Sequence, residues 1–139
     1  MNNRVIINIE GIESPPEKIE PYVLKALEKT GKHNWDISIV FCNNDIIRKL
    51  NNQYRNLDES TDVLSFIMGE MDGERFLPGD IVISLEKLEE NVKHFGVSFE
   101  EELHRLLIHG ILHLSGMNHT TNDASEEMLM LQEKLLAEI

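Results

Sequence analysis

The stretch from Leu106 to His119, Leu-Leu-Ile-His-Gly-Ile-Leu-His-Leu-Ser-Gly-Met-Asn-His, constrains the fold more than any other part of the chain. From Leu106 to Leu114 it is apolar nearly all round at helical spacing, and a helix of that kind must be central and buried. Yet it carries His109 and His113, which lie four apart and therefore on one face, about one turn from each other. Gly116 offers the left-handed conformation that ends a helix. The chain then turns back, and His119 can close on the same point. Half of the chain's 6 histidines fall in residues 109–119, with a helix breaker among them. Three imidazoles with one open position are the ligand set of a catalytic zinc, whereas structural zinc sites are closed by four ligands. The alternative is three unrelated histidines on a helix and its following loop.

His-x3-His-x2-Gly-x2-His is also the skeleton of the metzincin proteases, whose helix reads His-Glu-x-x-His. There the glutamate after the first histidine is the general base. Here that position is Gly110. The ligands are present and the protease base is missing, so peptide hydrolysis by the usual route is not expected. The group that moves the proton must come from elsewhere in the fold, or a metal-bound hydroxide must suffice.

At 139 residues the chain is expected to be one domain spanning 1–139. No apolar run approaches the roughly 20 residues of a membrane helix, and the N-terminus alternates without a secretory hydrophobic core. Cys42 is the single cysteine, so no intrachain disulfide can form, and a reducing cytoplasm is the simplest location. It ends an apolar run and reads as a small buried hydrophobe. The net charge of −12 argues against broad binding to nucleic acid, because phosphate contacts need a positive surface. DNA is not expected as a partner. Any nucleic-acid substrate must be met by a few placed cations or be presented by a partner.

Along the chain, Arg4 to Ile9 alternates and reads as a strand. Pro15-Pro16 opens a helix through about Lys29. Trp35 to Cys42 is the clearest strand, and Asn43 or Asn44 caps a helix running to about Tyr54. Residues 55–61 read as a loop, and Val63 to Met68 as a third strand. Met71 to Gly79, with its Asp-Gly and Pro-Gly signals, reads as a turn or flexible connection. Asp80 to Ser84 is a fourth strand, and Ser84 caps a helix from Leu85 to about Phe95. Ser98-Phe-Glu-Glu101 has capping-box spacing and opens the histidine helix. A last helix runs from about Asp123 to Glu138. The fold expected is α/β (α+β): a small mixed four-stranded sheet against about five helices, with the central buried helix carrying two metal histidines.

Other residues are candidates for the same site. Arg55 follows a helix and starts a polar loop, where a guanidinium suits a phosphate oxygen. Its plainer reading is a surface ion pair with Asp58 or Glu59. Asp62 can cap a turn, hold a ligating histidine or act as a base, and capping is the default. Ser65 reads as a strand serine that faces the sheet or a substrate, and Asp80 as a turn residue. His104, five before His109, lies on a different helix face. His33 and His94 sit near helix ends and read as surface residues. Glu100 to Glu102, Glu126 and Glu127 fall in first helical turns, which negative charge stabilises, and are assigned no chemistry.

His-Gly-x-Leu-His-Leu-x-Gly-x-x-His resembles the signature of the YbeY family of bacterial endoribonucleases, also described as ribosomal RNA maturation factors. Leu50-Asn51-x-x-Tyr54-Arg55, Thr61-Asp62-Val63-Leu64-Ser65-Phe66 and Gly79-Asp80-Ile81-Val82-Ile83-Ser84 are similar to that family's other motifs, in the same order, so the resemblance covers most of the chain. It implies one zinc ion on His109, His113 and His119, with nickel, copper or iron as other ions three imidazoles can bind. It implies a cytoplasmic, single-strand-specific endoribonuclease that acts in 16S ribosomal RNA 3′ end maturation and ribosome quality control, with ribosomal RNA and the ribosome or its associated proteins as partners. It places Arg55 in the active cleft as a catalytic residue beside His113, with Asp62, Ser65 and Asn118 near the ligands or the substrate. Asn118 stands where the family usually has aspartate; an amide can orient a ligand but cannot take a proton. The competing readings are another zinc hydrolase, such as a metalloprotease-like enzyme, and a ribosome assembly factor whose metal is mainly structural.

Overall fold

Alternation at the N-terminus and a β-branched run after Trp35 produce two neighbouring parallel strands, β1 (Arg4–Ile9) and β2 (Asp36–Cys42), joined through α1 (Ile19–Lys29). The computed structural model describes residues 2–119, 121–123 and 126–139. α2 (Asn44–Arg55) follows, then β3 (Val63–Asp72), β4 (Arg75–Ser84), α3 (Leu85–Phe95), α4 (Phe99–Leu114) and α5 (Glu127–Glu138). The sheet order is β1-β2-β4-β3, with β2 and β4 parallel and β3 antiparallel to β4. This is the expected mixed four-stranded sheet with five helices. Among the described residues no helix is long and apolar enough to cross a membrane.

Caps behave as their side chains dictate. Asn43, Ser84 and Ser98 accept from the backbone N–H of Ile46, Lys87 and Glu101 at the starts of α2, α3 and α4. The second half of the Ser98 capping box is not made, because the Glu101 carboxylate turns to Arg105 instead. α1 begins at Ile19 and not at the proline pair. Two consecutive prolines favour extended backbone, Lys18 sits in the left-handed region at φ 60°, and Pro21 occupies the first turn, where its missing N–H costs nothing. α5 begins at Glu127; the part of the expected start near Asp123 that covers residues 124 and 125 lies outside the described residues.

The largest departure is the hairpin. The expected connection over residues 71–79 is strand almost throughout: β3 and β4 pair to Asp72 and Arg75. Only Gly73 and Glu74 turn, with Gly73 at φ 63°, which suits a two-residue hairpin with glycine first. Pro78 and Gly79 are accommodated because the β3–β4 register shifts between Ile67 and Glu70, opposite them. Gly79, at φ 134°, is so close to the Phe66 carbonyl that a Cβ would lie 1.9 Å from its oxygen. Arg75 ties the hairpin to β2 by donating to Asp36 at 3.0 Å.

The central strands sort their side chains by face. Ile37, Ile39, Phe41, Ile81 and Ile83 form the main core with Leu103, Leu106, Leu107, Ile111 and Leu114 of α4. Cys42, Ile47, Leu64 and Val82 make a smaller core with α2. Burial pushes the Cys42 thiol up to about 12, so it is the inert small hydrophobe expected. α5 closes over α4 through Ile108, Leu112, Met128 and Leu135.

One contact sets how α4 lies on the sheet. A Cβ at Gly110 would meet the Cδ1, Cγ1 and Cγ2 atoms of Ile81 at 2.7, 2.8 and 2.8 Å. Ile81 is fully buried, and no single rotation clears both branches of its side chain. We predict that Gly110→Ala destabilises the protein: overpacking of about 1–3 kcal/mol outweighs a helix-propensity gain of about 1 kcal/mol. Urea unfolding checks this. The midpoint should fall, and the same substitution in an Ile81→Ala background should carry no penalty; equal penalties in both backgrounds would refute the contact.

Candidate metal centre

α4 carries its polar residues on one flank. Glu102, His109 and His113 are spaced 7 and 4 apart, close to whole turns, so they rise along one stripe. The helix ends as its sequence demands. Gly116, at φ 96°, donates to the His113 carbonyl at 2.9 Å, and Met117 donates to the Leu112 carbonyl at 3.0 Å. The chain is thereby reversed, and His119 returns to the same stripe. Its ring centroid lies 5.1 Å from that of His109 and 5.5 Å from that of His113.

The three imidazoles each present one nitrogen, and these atoms lie within 4.8 Å of one another. His109 Nε2 and His113 Nε2 are 3.1 Å apart. Two nitrogens bound to one tetrahedral zinc at about 2.0–2.1 Å stand roughly 3.3 Å apart, so this pair is spaced for a shared cation. Burial is the main force holding both imidazoles below their ordinary pKa. For His109, the Gln132 hydrogen bond and the Asp62 charge oppose burial, and His119 adds to it. For His113, its two histidine neighbours act with burial, while hydrogen bonds to the Met117 backbone and the Asn118 side chain oppose it. A lowered pKa favours the neutral form of these two rings, the form that ligates a metal. Three neutral imidazoles fit zinc, and nickel, copper or iron are compatible with the same donors.

The histidines open on a cleft of about 690 Å³ that Arg55, Asp62, Ser65 and Asn118 also line. The three histidines and the four residues suggested to accompany them, Arg55, Asp62, Ser65 and Asn118, thus line one cleft. Arg55 is not paired with Asp58, which Arg48 takes at 2.8 Å. Its Nη2 donates instead to the Ser65 carbonyl at 3.2 Å, so its positive charge is not neutralised by that bond. One Asp62 oxygen accepts from the N–H of its neighbour Val63 at 2.8 Å, and the other accepts from Asn91 Nδ2 at 3.0 Å. The Ser65 hydroxyl is buried with no hydrogen-bond partner. Asp80 is not in a turn; it pairs with Ser38 and Phe66 inside β4. His104 stacks on Tyr22 with centroids 3.5 Å apart, away from the cluster, and His33 and His94 are exposed.

Glu102 and Gln132 also line this cleft, and Asn91 stands behind it, and none of the three is among the site residues expected from the sequence. Glu102, a first-turn glutamate of α4, is only 3% exposed. It accepts from Arg105 at 2.7 Å and from Asn91 at 3.2 Å. Asn91 therefore bridges Asp62 and Glu102. Gln132 of α5, 7% exposed, places its Oε1 2.6 Å from His109 Nδ1. A signal existed for Glu102, which shares the histidine stripe, and for Gln132, which stands at an apolar position of α5 four after Met128 and three before Leu135. None marked Asn91.

The sequence pattern of the family described as Endoribonuclease YbeY matches residues 6–139. The Endoribonuclease YbeY of Treponema pallidum (strain Nichols) is 47% identical over 146 aligned positions, covering 98% of this chain and 89% of that protein. That of Borrelia turicatae is 46% identical, covering 84% of this chain and 81% of that protein. Among solved structures, the solution structure of TM1509 from Thermotoga maritima superposes with a TM-score of 0.64 at 34% identity, covering 96% of this chain and 87% of that one. With the match running through every strand and helix that builds the histidine cleft, the chain belongs to the endoribonuclease YbeY family.

Proposed function

We propose that this protein is a zinc-dependent, single-strand-specific endoribonuclease that trims the 3′ end of 16S ribosomal RNA in the cytoplasm and serves in ribosome quality control. The observation that carries the reading is the convergence of three imidazoles on one point of an open cleft that also holds an arginine. His109, His113 and His119 would hold the cation. When bound, it supplies Lewis acidity that polarises a phosphoryl oxygen and acidifies water.

The chain's own residues do the rest. Arg55 meets the phosphate and offsets charge that develops on it, a role for which its bond to a neutral carbonyl leaves it suited. Arg105, the other cleft arginine, is committed to Glu101, Glu102 and Glu133. Asn118 orients His113 through its side-chain hydrogen bond. Asp62 is the cleft carboxylate whose charge reaches His109, and it fits the proton-accepting role that Gly110 leaves open. Ser65 lines the cleft and holds the Arg55 guanidinium through its carbonyl. The site argues against a protease of the metzincin kind, because position 110 faces Ile81 and has no room for a glutamate. Three histidine ligands on an open cleft, among the described residues, argue against a closed structural metal.

The deciding experiment measures metal content of the purified protein and cleavage of a ribosomal RNA precursor with and without chelator. Chelation should abolish cleavage and leave circular dichroism unchanged; unfolding on chelation would favour a structural metal. His113→Ala should weaken zinc binding by more than the roughly 10–100-fold typical of residues behind the ligands, and full zinc occupancy in that variant would remove it from the ligand set. Arg55→Ala should retain zinc and lose about 10²–10³-fold in cleavage rate; unimpaired trimming of precursor would defeat the assignment.

A further inference from the structure

We infer that Gln132 is a positioning residue that holds His109 in the Nδ1–H tautomer, leaving Nε2 as its metal-binding atom. The inference rests on the metal-centre reading above and extends it from the ligands to the residue that orients one of them.

A buried primary amide must satisfy both of its ends. Gln132 does so between two partners. Its Nε2 donates to Glu133 Oε2 at 3.1 Å, and its Oε1 lies 2.6 Å from His109 Nδ1. Which way the amide faces is decided by Glu133. That carboxylate is gripped by Arg105, whose Nε and Nη2 donate to it at 3.0 and 3.1 Å. An ionised carboxylate accepts only, so the NH₂ end of Gln132 must face it and the carbonyl end must face His109. The reverse orientation would set the amide oxygen against the carboxylate.

The carbonyl oxygen has no hydrogen to give. The 2.6 Å contact therefore requires that His109 Nδ1 carry the proton. A neutral imidazole has one N–H, so Nε2 is left with its lone pair bare, and Nε2 is the atom 3.1 Å from His113 Nε2 at the centre of the cluster. Free histidine prefers the opposite tautomer in water, so the contact reverses an intrinsic preference and does so before any cation arrives. A chain of three contacts thus runs from Arg105 through Glu133 and Gln132 to a ligand nitrogen. His119 shows the same device in local form: its Nδ1 lies 2.7 Å from the Thr121 carbonyl oxygen, which likewise accepts only.

The test compares the full-length protein with Gln132→Leu, which keeps bulk and removes the acceptor, and Gln132→Glu, which keeps an acceptor. In metal-free protein above the imidazole titration range, ¹⁵N NMR of the histidine rings should show His109 as Nδ1–H in the parent and in Gln132→Glu, and shifted toward Nε2–H in Gln132→Leu. Titration with Zn²⁺ against a competing chelator should show affinity lowered about 10–100-fold in Gln132→Leu and largely restored in Gln132→Glu. An Nε2–H signal for His109 in the parent overturns the proposal whether or not any variant folds. So does unchanged tautomer or unchanged zinc affinity in Gln132→Leu. If the parent itself binds no zinc, the metal-centre reading fails, while the tautomer assignment is judged separately by the NMR result.

Discussion

The seating of α4 on β4, where Gly110 leaves room for Ile81, is the contact from which the site follows. Each helical residue turns the side chain by about 100°. With position 110 aimed at the sheet, His109 lies about 100° back from it. His113, three residues on, lies about 300° forward, which is about 60° back on the same side. Both imidazoles therefore leave the helix on one flank, beside the edge strand β3, where Ser65 and Ile67 form the opposite wall. A larger residue at 110 would lift or rotate the helix and move both ligands together. The same contact decides what chemistry is absent. A glutamate next to the first ligand is the protease solution, and here that direction is filled by an isoleucine. Packing, not the metal, removes the base from this position.

Much of this was legible because it rests on local rules. The helix of the histidines announces itself by its apolar run, its end by Gly116, and its ligands by spacing. The caps at Asn43, Ser84 and Ser98 were legible for the same reason. What was not legible depends on partners distant in sequence. Asp72-Gly73 and Pro78-Gly79 read as loop because each pair is a turn signal taken alone. Only the register shift opposite, between Ile67 and Glu70, shows that the second pair can sit within a strand. Glu102 fits a dipole-stabilising role by its place in the first turn of α4, and only its helix face, shared with His109 and His113, puts it in the cleft. Asn91 joins Asp62 to Glu102 across 29 and 11 residues of sequence, a separation at which no spacing rule operates.

The charge of the chain and the polarity of the cleft then become consistent. A net charge of −12 disfavours adherence to polyanions in general, yet the cleft is not uniformly acidic. Its carboxylates are tied inward: Asp62 and Glu102 share the amide of Asn91, and Arg105 gathers Glu101, Glu102 and Glu133. These bonds hold the carboxylates in place, and the one guanidinium of Arg105 offsets part of the charge of the three it meets. At the other wall, Arg55 keeps its positive charge facing the opening, its hydrogen bond going to a carbonyl. For the proposed RNA substrate, Arg55 would be one point of attraction, and a cation held by the three histidines would be a second.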